Sequence, residues 1–351
     1  MSLLFLPTEL KHLIIAFLVP ESTLDFALTC KHHAEVCHKA LGENAQLFAQ
    51  WRILDIGRKR SSLWAATIEI LSTPRIGWYV RELNLPSRHP SWKRKRGRDS
   101  SEGDNLLLDR ATRSLRSLYP TDSTKLPVED ARRYPDLPRP HDLIHTIAQR
   151  IAAGSKDALI SLLIHHLPYL RTIRLTDDGL ACLRLTMQCI AAAHSDPMRA
   201  NRLPLQCLAH ASVAHDIPGT DYLDPDWACF FLRLPSLQTF VASHMGGAAH
   251  FGGRVDLMSP VVLSVSNVTE LVFDRCRIHI EALDAILASI TQLKSFTYTG
   301  GEDIDEDYRD FSPKRVIEIL AYHSGATLRH LLLEDARGTV WLRSPETLIW
   351  Y

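Results

Sequence analysis

Side chains that can bind zinc are concentrated between residues 30 and 38. The five residues are Cys30, His32, His33, Cys37 and His38. Structural zinc sites usually take cysteines spaced two to four residues apart, whereas the two cysteines here are seven positions apart. We therefore predict no metal site in this segment and no cofactor for the chain.

Three further patterns lack a residue that their chemistry requires. The Asp-x-Asp-x-Asp sequence at 303–307 begins like a calcium loop, but Tyr308 replaces the required glycine and Lys314 the bidentate glutamate. The glycine-rich stretch 246–253 lacks the Lys-Ser/Thr pair of a phosphate-binding loop and the dinucleotide fingerprint. The 17 histidines form no constellation that nominates a general base. We therefore expect a non-catalytic protein rather than an enzyme.

The charges of the chain balance, with 40 lysine and arginine residues against 40 aspartate and glutamate residues. A general polyanion binder needs a surplus of cations, so we expect no nucleic-acid partner. Hydrophobic residues make up 46% and charged residues 23%, which is typical of a protein with a sizeable core. Seven cysteines without a dense spacing pattern indicate a reducing intracellular setting rather than a disulfide scaffold.

The N-terminal apolar run at 13–20 is too short to cross a bilayer or to form a secretory core. We therefore expect a soluble protein without a membrane partner, located in the cytoplasm, the nucleus or both. The basic run Lys93–Arg98 is a candidate nuclear-import signal or phosphate contact, and the alternative is a solvated loop.

Residues 1–50 have the periodicity of three short helices. We predict that Thr8 caps the first, that Pro20 ends it, and that the third begins near Lys31 and runs toward Leu41. Three such helices make a very small core. Such a unit gains stability by burying its remaining apolar face on a partner.

The same residues follow a family pattern. They read Leu6-Pro7-x-Glu9-Leu10, then Ile14 and Leu18, then Leu24, Leu28 and Cys30-Lys31. This order resembles the F-box, whose pattern begins Leu-Pro-x-Glu-Leu/Ile and ends in a third helix containing Cys-Lys. The match covers residues 3–41. It departs from the family at His33, where an aromatic residue, commonly tryptophan, is frequent.

The resemblance implies that these helices dock a Skp-type linker protein and, through it, a cullin. The implied contact residues are Leu6, Pro7, Glu9, Leu10, Ile14, Leu18, Leu24, Leu28 and Cys30. The alternative interpretation is a plain three-helix cap on the following domain, without a partner.

An apolar-x-x-apolar-x-apolar strand pattern recurs along the rest of the chain. It begins at Val80, Leu170, Leu237, Val268, Leu293 and Leu328, with a weaker copy at Leu205–Leu208. From Leu170 onward the steps are 35, 32, 31, 25 and 35 residues, which indicates stacked strand–helix units. Helical patterns lie between these strands at 182–194, 226–234, 280–290 and 313–323.

This array resembles a degenerate leucine-rich repeat, and Val268–Cys276 follows the Leu-x-x-Leu-x-Leu-x-x-Cys form most closely. The predicted fold class is an α/β solenoid: a short all-α three-helix F-box followed by an irregular leucine-rich-repeat-like array. The alternative is an ordinary α/β domain, but its strands would usually be continuous apolar runs.

The predicted domains are the F-box module at 1–50, a helical linker at 51–77 and the solenoid at 78–351. We expect residues 86–140, rich in charge and proline, to be a mostly disordered insertion with a short helix near 106–118.

The two resemblances together imply a substrate-recognition adaptor of an SCF-type cullin–RING ubiquitin ligase, in which the repeats bind an unknown substrate protein. A non-ligase repeat scaffold for protein–protein interaction is the second hypothesis, and a hydrolase or transferase on an α/β core is the third. The candidate substrate face consists of the predicted solvent-facing strand residues Arg81, Arg171, Arg174, Thr239, Thr269, Lys294, Thr297 and Arg329. Because arginine and lysine dominate this set, we expect an acidic or phosphorylated segment as its ligand.

Overall fold

A computed structural model of the chain describes most of its residues. The described ranges are 5–56, 63–85, 101–119, 143–177, 180–194, 203–215, 222–246, 266–301, 312–334 and 340–343. The basic run Lys93–Arg98, the Asp-x-Asp-x-Asp sequence at 303–307 and most of the glycine-rich stretch 246–253 lie outside them.

The N-terminal module consists of α1 (Thr8–Phe17), α2 (Pro20–Leu28) and α3 (Lys31–Trp51). Three predicted boundaries are wrong. Thr8 is the first residue of α1 rather than its cap, because Pro7 holds the N-cap position and no side chain caps the helix. Pro20 begins α2, because its fixed φ and missing N–H suit the first position of a helix. Helix α3 ends at Trp51 rather than near Leu41, so one continuous helix connects the module to the sheet.

The described residues form one nine-stranded sheet in which strand order equals chain order. Strands β1 to β8 are parallel, and β9 pairs antiparallel with β8. The strands are β1 (Ile53–Asp55), β2 (Glu82–Leu85), β3 (Thr172–Asp177), β4 (His210–His215), β5 (Thr239–Ser243), β6 (Glu270–Cys276), β7 (Ser295–Gly300), β8 (His330–Glu334) and β9 (Val340–Arg343). Because the order never reverses, this sheet has no topological switch point of the kind that binds ligands in doubly wound folds.

The α/β class is confirmed, since described helices lie between most of the consecutive parallel strands. The remaining described helices are α4 (Leu63–Ser72), α5 (Glu102–Ser114), α6 (Leu143–Ala152), α7 (Lys156–His165), α8 (Ala181–His194), α9 (Asp226–Leu232), α10 (Ile280–Ala288) and α11 (Pro313–Ser324). A short 3-10 helix follows α4 at Pro74–Trp78, and another follows α5 at Leu115–Ser117. None of the helices that the structure describes is long and apolar enough to cross a membrane.

The strands bury alternate residues in rows that run across the sheet. One row is Leu83, Ile173, Ala211, Phe240, Leu271, Phe296 and Leu331, and the next is Leu85, Leu175, Val213, Ala242, Phe273, Tyr298 and Leu333. The residue three positions before each member of the first row is also buried. The residues at the predicted apolar positions are therefore the ones that are buried, and the residues on the other side of each strand are more exposed.

Two repeats differ from the predicted pattern. The weak copy at Leu205–Leu208 is out of register by three residues: Leu205 lies in a turn with φ of 63°, and Leu208, Ala211 and Val213 occupy the core positions. The register of this copy was not recognised in the sequence because the small side chain of Ala211 occupies its middle core position.

The helical linker predicted at 51–77 also contains a strand. Trp51, Leu54 and Ile56 are buried at the repeat spacing, and Leu54 pairs with Leu83. Helix α4 and the first 3-10 helix account for the rest of the described linker.

The short helix expected near 106–118 within the insertion is present, and it begins earlier, at Glu102. Ser101 and Asp104 form a capping box that begins α5. Leu108, Ala111 and Leu115 are buried in the main core because they form one helical stripe, even though charged residues surround them in the sequence.

Candidate functional site

The N-terminal module exposes an unusual amount of apolar side chain. Six of the ten most exposed large apolar residues in the described part of the chain lie between residues 5 and 28. We call this set the docking surface: Phe5 (88% exposed), Leu10 (45%), Leu13 (56%), Phe17 (77%), Leu24 (49%) and Leu28 (75%). Several large exposed apolar side chains in one small module are typical of a protein–protein contact.

The exposure follows from the size of the module. Its core contains Ile15, Ala27 and Cys37 as buried apolar residues, with a few partly buried neighbours. Helices α1 and α2 therefore bury one narrow stripe each, and several of their other apolar residues are exposed.

The nine contact residues implied by the F-box resemblance all remain accessible to some degree. Pro7, Glu9, Leu10, Leu24 and Leu28 are exposed, and Leu6, Ile14, Leu18 and Cys30 are half-buried. The resemblance did not include Phe5, Leu13 and Phe17. Leu10, Leu13 and Phe17 recur at helical spacing, which is the sequence signal that predicts a shared face.

His33 takes the place of an aromatic residue in the module. Its ring stacks on that of Phe26, with 4.2 Å between the ring centroids and 19° between the planes. The Thr29 hydroxyl donates to the carbonyl oxygen of Phe26 (2.7 Å), so it accepts from Nδ1 of His33 (2.7 Å). Burial, together with the nearby charge of Lys11, lowers the pKa of His33, which keeps the ring neutral.

The cysteine and histidine cluster has structural roles. Cys30 Sγ caps α3 by accepting from the backbone N–H of His33 (3.4 Å), and Cys37 is buried in the module core. Within the described residues, no group of three or more histidine, cysteine, aspartate or glutamate side chains is arranged to hold a metal ion.

Arg81, a predicted substrate-face residue, is instead buried where the module meets the sheet. Its guanidinium donates to Glu21 of α2 and to the carbonyl oxygens of Trp78 (2.5 Å) and Val80 (3.3 Å). It also lies between two rings, 5.7 Å from the Phe48 centroid and 5.3 Å from that of Tyr169. Since only 8% of Arg81 is exposed, it cannot serve as a solvent-facing contact.

The other predicted substrate-face residues fall into two groups. Arg171, Thr269, Lys294 and Arg329 lie one residue before their strands, at the entry edge of the sheet. There, a single carbonyl accepts two successive N–H groups of the next strand: Lys294 O, for example, accepts from Arg329 N (2.8 Å) and His330 N (3.0 Å).

Arg174, Thr239 and Thr297 lie on the open face, which we define as the strand residues that alternate with the buried rows. Arg174 is paired with Glu82 there and donates to Asn84 Oδ1 (3.2 Å). The predicted basic residues are therefore buried, paired or at the entry edge. The expectation of an acidic ligand does not apply to the open face.

Several titratable groups in the core are held in their neutral forms. Burial raises the pKa of Cys182 to about 11 and those of Cys189 and Cys229 to about 12, so these thiols stay protonated at neutral pH. Burial also lowers the pKa of His165 to about 4; its Nδ1 bonds Ser161 O (2.6 Å) and its Nε2 bonds the Tyr119 hydroxyl (2.8 Å). These groups stabilise the packing of α5, α7, α8 and α9 rather than activating a nucleophile.

Comparisons with known proteins give no assignment. No protein-family model matches the chain, and no curated protein matches it.

Proposed function

We propose that this protein is a substrate-recognition adaptor of an SCF-type cullin–RING ubiquitin ligase. The observation that carries the proposal is the docking surface, because it lies in the segment whose sequence order resembles the F-box and shares Leu10, Leu24 and Leu28 with it. Phe17 and Leu28 are more than 70% exposed. Stable proteins rarely expose several large apolar side chains in one small module unless a partner covers them. A Skp-type linker is the partner that the resemblance implies.

The sheet supports the second half of the proposal, a leucine-rich-repeat-like solenoid. Parallel strands in chain order, joined from β3 to β8 by connections of 18 to 32 residues, are what stacked repeats produce. The repeat at Val268–Cys276 ends in a buried thiol that contacts the preceding repeat: Cys276 Sγ accepts from Met245 N (3.3 Å) and lies 3.5 Å from Ala242 O. Adjacent repeats are thereby bonded through the position that the Leu-x-x-Leu-x-Leu-x-x-Cys form reserves for such contacts.

The proposed mechanism is a raised effective concentration. The docking surface binds the linker and the sheet binds the substrate, so substrate lysines are held near the conjugating enzyme of the ligase. In this proposal no residue of the chain makes or breaks a covalent bond.

Linker capture with purified components tests the proposal. Wild-type chain should retain a Skp-type linker on an affinity column, and Leu28→Glu should weaken retention by roughly tenfold or more, because it places a charge in an apolar contact. Leu106→Glu is the matched control, since Leu106 is also an exposed leucine (61%, against 75% for Leu28) and lies on α5, outside the docking surface.

Two results would count against the adaptor. If the wild-type chain does not retain the linker, or if Leu28→Glu retains it as well as Leu106→Glu does, the docking surface serves another partner. The second hypothesis, a repeat scaffold outside the ligase, would then take its place.

A further inference from the structure

Strands β5 to β8 carry a stripe of three apolar residues and one threonine on the open face. Val241 pairs with Val272, Val272 with Thr297, and Thr297 with Leu332, so these four side chains lie on neighbouring strands in one row. All four are partly accessible. With strands about 4.8 Å apart, the row extends about 14 Å across the sheet.

Acidic residues flank this stripe on both sides. Glu270 lies in the row before it, with Thr239, Ser295 and His330. Asp274 and Glu334 lie in the row after it, beyond the stripe toward the carboxyl ends of the strands. No lysine or arginine stands in these three rows of β5 to β8.

The carboxylates on this part of the face are bonded by hydroxyl groups. The Thr239 hydroxyl donates to Glu270 (3.3 Å), and those of Thr299 and Ser243 donate to Asp274 (3.0 and 3.5 Å). These neutral donors orient the carboxylates and leave their negative charge in place. At the other end of the sheet, by contrast, Arg174 pairs with Glu82.

We propose that β5 to β8 bind an extended substrate segment in which basic residues alternate with apolar ones. This inference rests on the proposed function and names the substrate class. The apolar side chains of the segment pack on the Val241–Val272–Thr297–Leu332 stripe. Its lysine or arginine groups reach Glu270, Asp274 and Glu334, and this charge complementarity sets specificity and association rate. An acidic or phosphorylated segment meets like charge on the same face.

Fluorescence anisotropy with defined peptides tests this inference on the full chain. The probe is a labelled peptide Lys-Val-Lys-Leu-Lys-Val-Lys, compared with Glu-Val-Glu-Leu-Glu-Val-Glu and with Lys-Ser-Lys-Ser-Lys-Ser-Lys. We expect the first peptide to bind and both others to bind at least about tenfold more weakly, because each lacks one of the two contacts.

A double variant of the face checks the location. Asp274→Asn with Glu334→Gln should weaken the basic–apolar peptide by roughly tenfold and reduce the salt dependence of its binding. The matched control is Glu69→Gln with Glu318→Gln, which removes two exposed carboxylates from α4 and α11 and should leave the affinity unchanged.

Three outcomes would overturn the inference: equal or tighter binding of the acidic peptide, equal loss of affinity in the two double variants, or no binding of the basic–apolar peptide. Sedimentation of the chain alone gives a fourth such outcome. If the wild-type chain is a dimer and Val272→Lys is a monomer, a second copy of the chain occupies the stripe.

Linker capture on the same preparations separates the two proposals. If Asp274→Asn with Glu334→Gln retains the linker while the wild-type chain ignores the basic–apolar peptide, only the substrate class fails. If the wild-type chain fails to retain the linker, the adaptor fails whatever the peptides do.

Discussion

His165 shows how a single buried ring ties the stability of the protein to pH. The ring joins two elements, because Tyr119 follows α5 and Ser161 lies in α7. Its pKa is about 4 in the folded protein because burial disfavours the charged form, whereas an unfolded histidine has a pKa of about 6.5.

The difference predicts a loss of stability in acid. Between pH 6.5 and pH 4 the unfolded chain takes up a proton at this position and the folded chain does not, so the free energy of unfolding falls with pH. The expected contribution of His165 reaches about 3 kcal/mol at the acid end of this window. Urea unfolding of wild type and His165→Gln at intervals from pH 8 to pH 4 measures it. The gap between the two proteins should narrow as pH falls; a constant gap would show that His165 does not couple folding to protonation.

At the scale of secondary-structure elements, the buried carboxylate of Asp157 joins three helices. It lies in the first turn of α7 and is buried. Its oxygen Oδ2 accepts from the backbone N–H of Cys182 in the first turn of α8 (2.7 Å) and lies 3.4 Å from Arg150 of α6. Ser155 also donates to it. An acid beside the N-terminus of α8 is also favoured by the helix dipole.

We expect Asp157→Ala to lower the free energy of unfolding by about 2–4 kcal/mol, since it leaves buried donors without an acceptor. Asp157→Asn keeps one acceptor oxygen and should cost less. Asp25→Ala, at an exposed position of α2, is the control and should stay within about 0.5 kcal/mol of wild type. Equal values for the three variants in urea unfolding would contradict the assigned role.

The elements also show how far sequence reasoning reaches. The strands at Leu170, Leu237, Val268, Leu293 and Leu328 were predictable because their buried residues are large and recur with one spacing. The strand β4 was placed three residues early because Ala211 fills its core position with a small side chain. Strand β1 was missed because Trp51 is both the last residue of α3 and the first apolar position of the strand pattern.

The candidate site was less predictable than the fold. The apolar residues of α1 and α2 could be read as a docking surface because a module of that size cannot bury them all. Arg81 could not be assigned, because its burial depends on Glu21, 60 residues earlier, and on the ring of Tyr169. Sequence alternation separates the two sides of a strand, but it does not reveal which charges a distant helix will neutralise.

At the scale of the whole molecule, the two proposed binding surfaces are held together by one junction. Helix α3 runs without a break from the module into β1, and Phe48 packs on the main core. Arg81 completes the junction by linking Glu21 on α2 to the start of β2. An adaptor that works by effective concentration benefits from such a connection, because a fixed spacing between linker and substrate limits the volume that the substrate explores.

Loss of the Arg81 side chain should loosen the module without unfolding the sheet. Arg81→Ala leaves the carbonyl groups of Trp78 and Val80 without this donor and removes its contacts with Phe48 and Tyr169, so we expect a loss of about 2 kcal/mol in the free energy of unfolding. The ion pair itself adds little, because half of the Glu21 side chain is exposed to water. Arg171→Ala is the matched control, since Arg171 holds the equivalent position before β3 and is exposed. Hydrogen exchange should show faster exchange of the α2 amides in Arg81→Ala alone, with the amides of β5 to β8 unchanged. If Arg81→Ala and Arg171→Ala exchange alike, the module is positioned by α3 alone and the Arg81 junction has no role in its orientation.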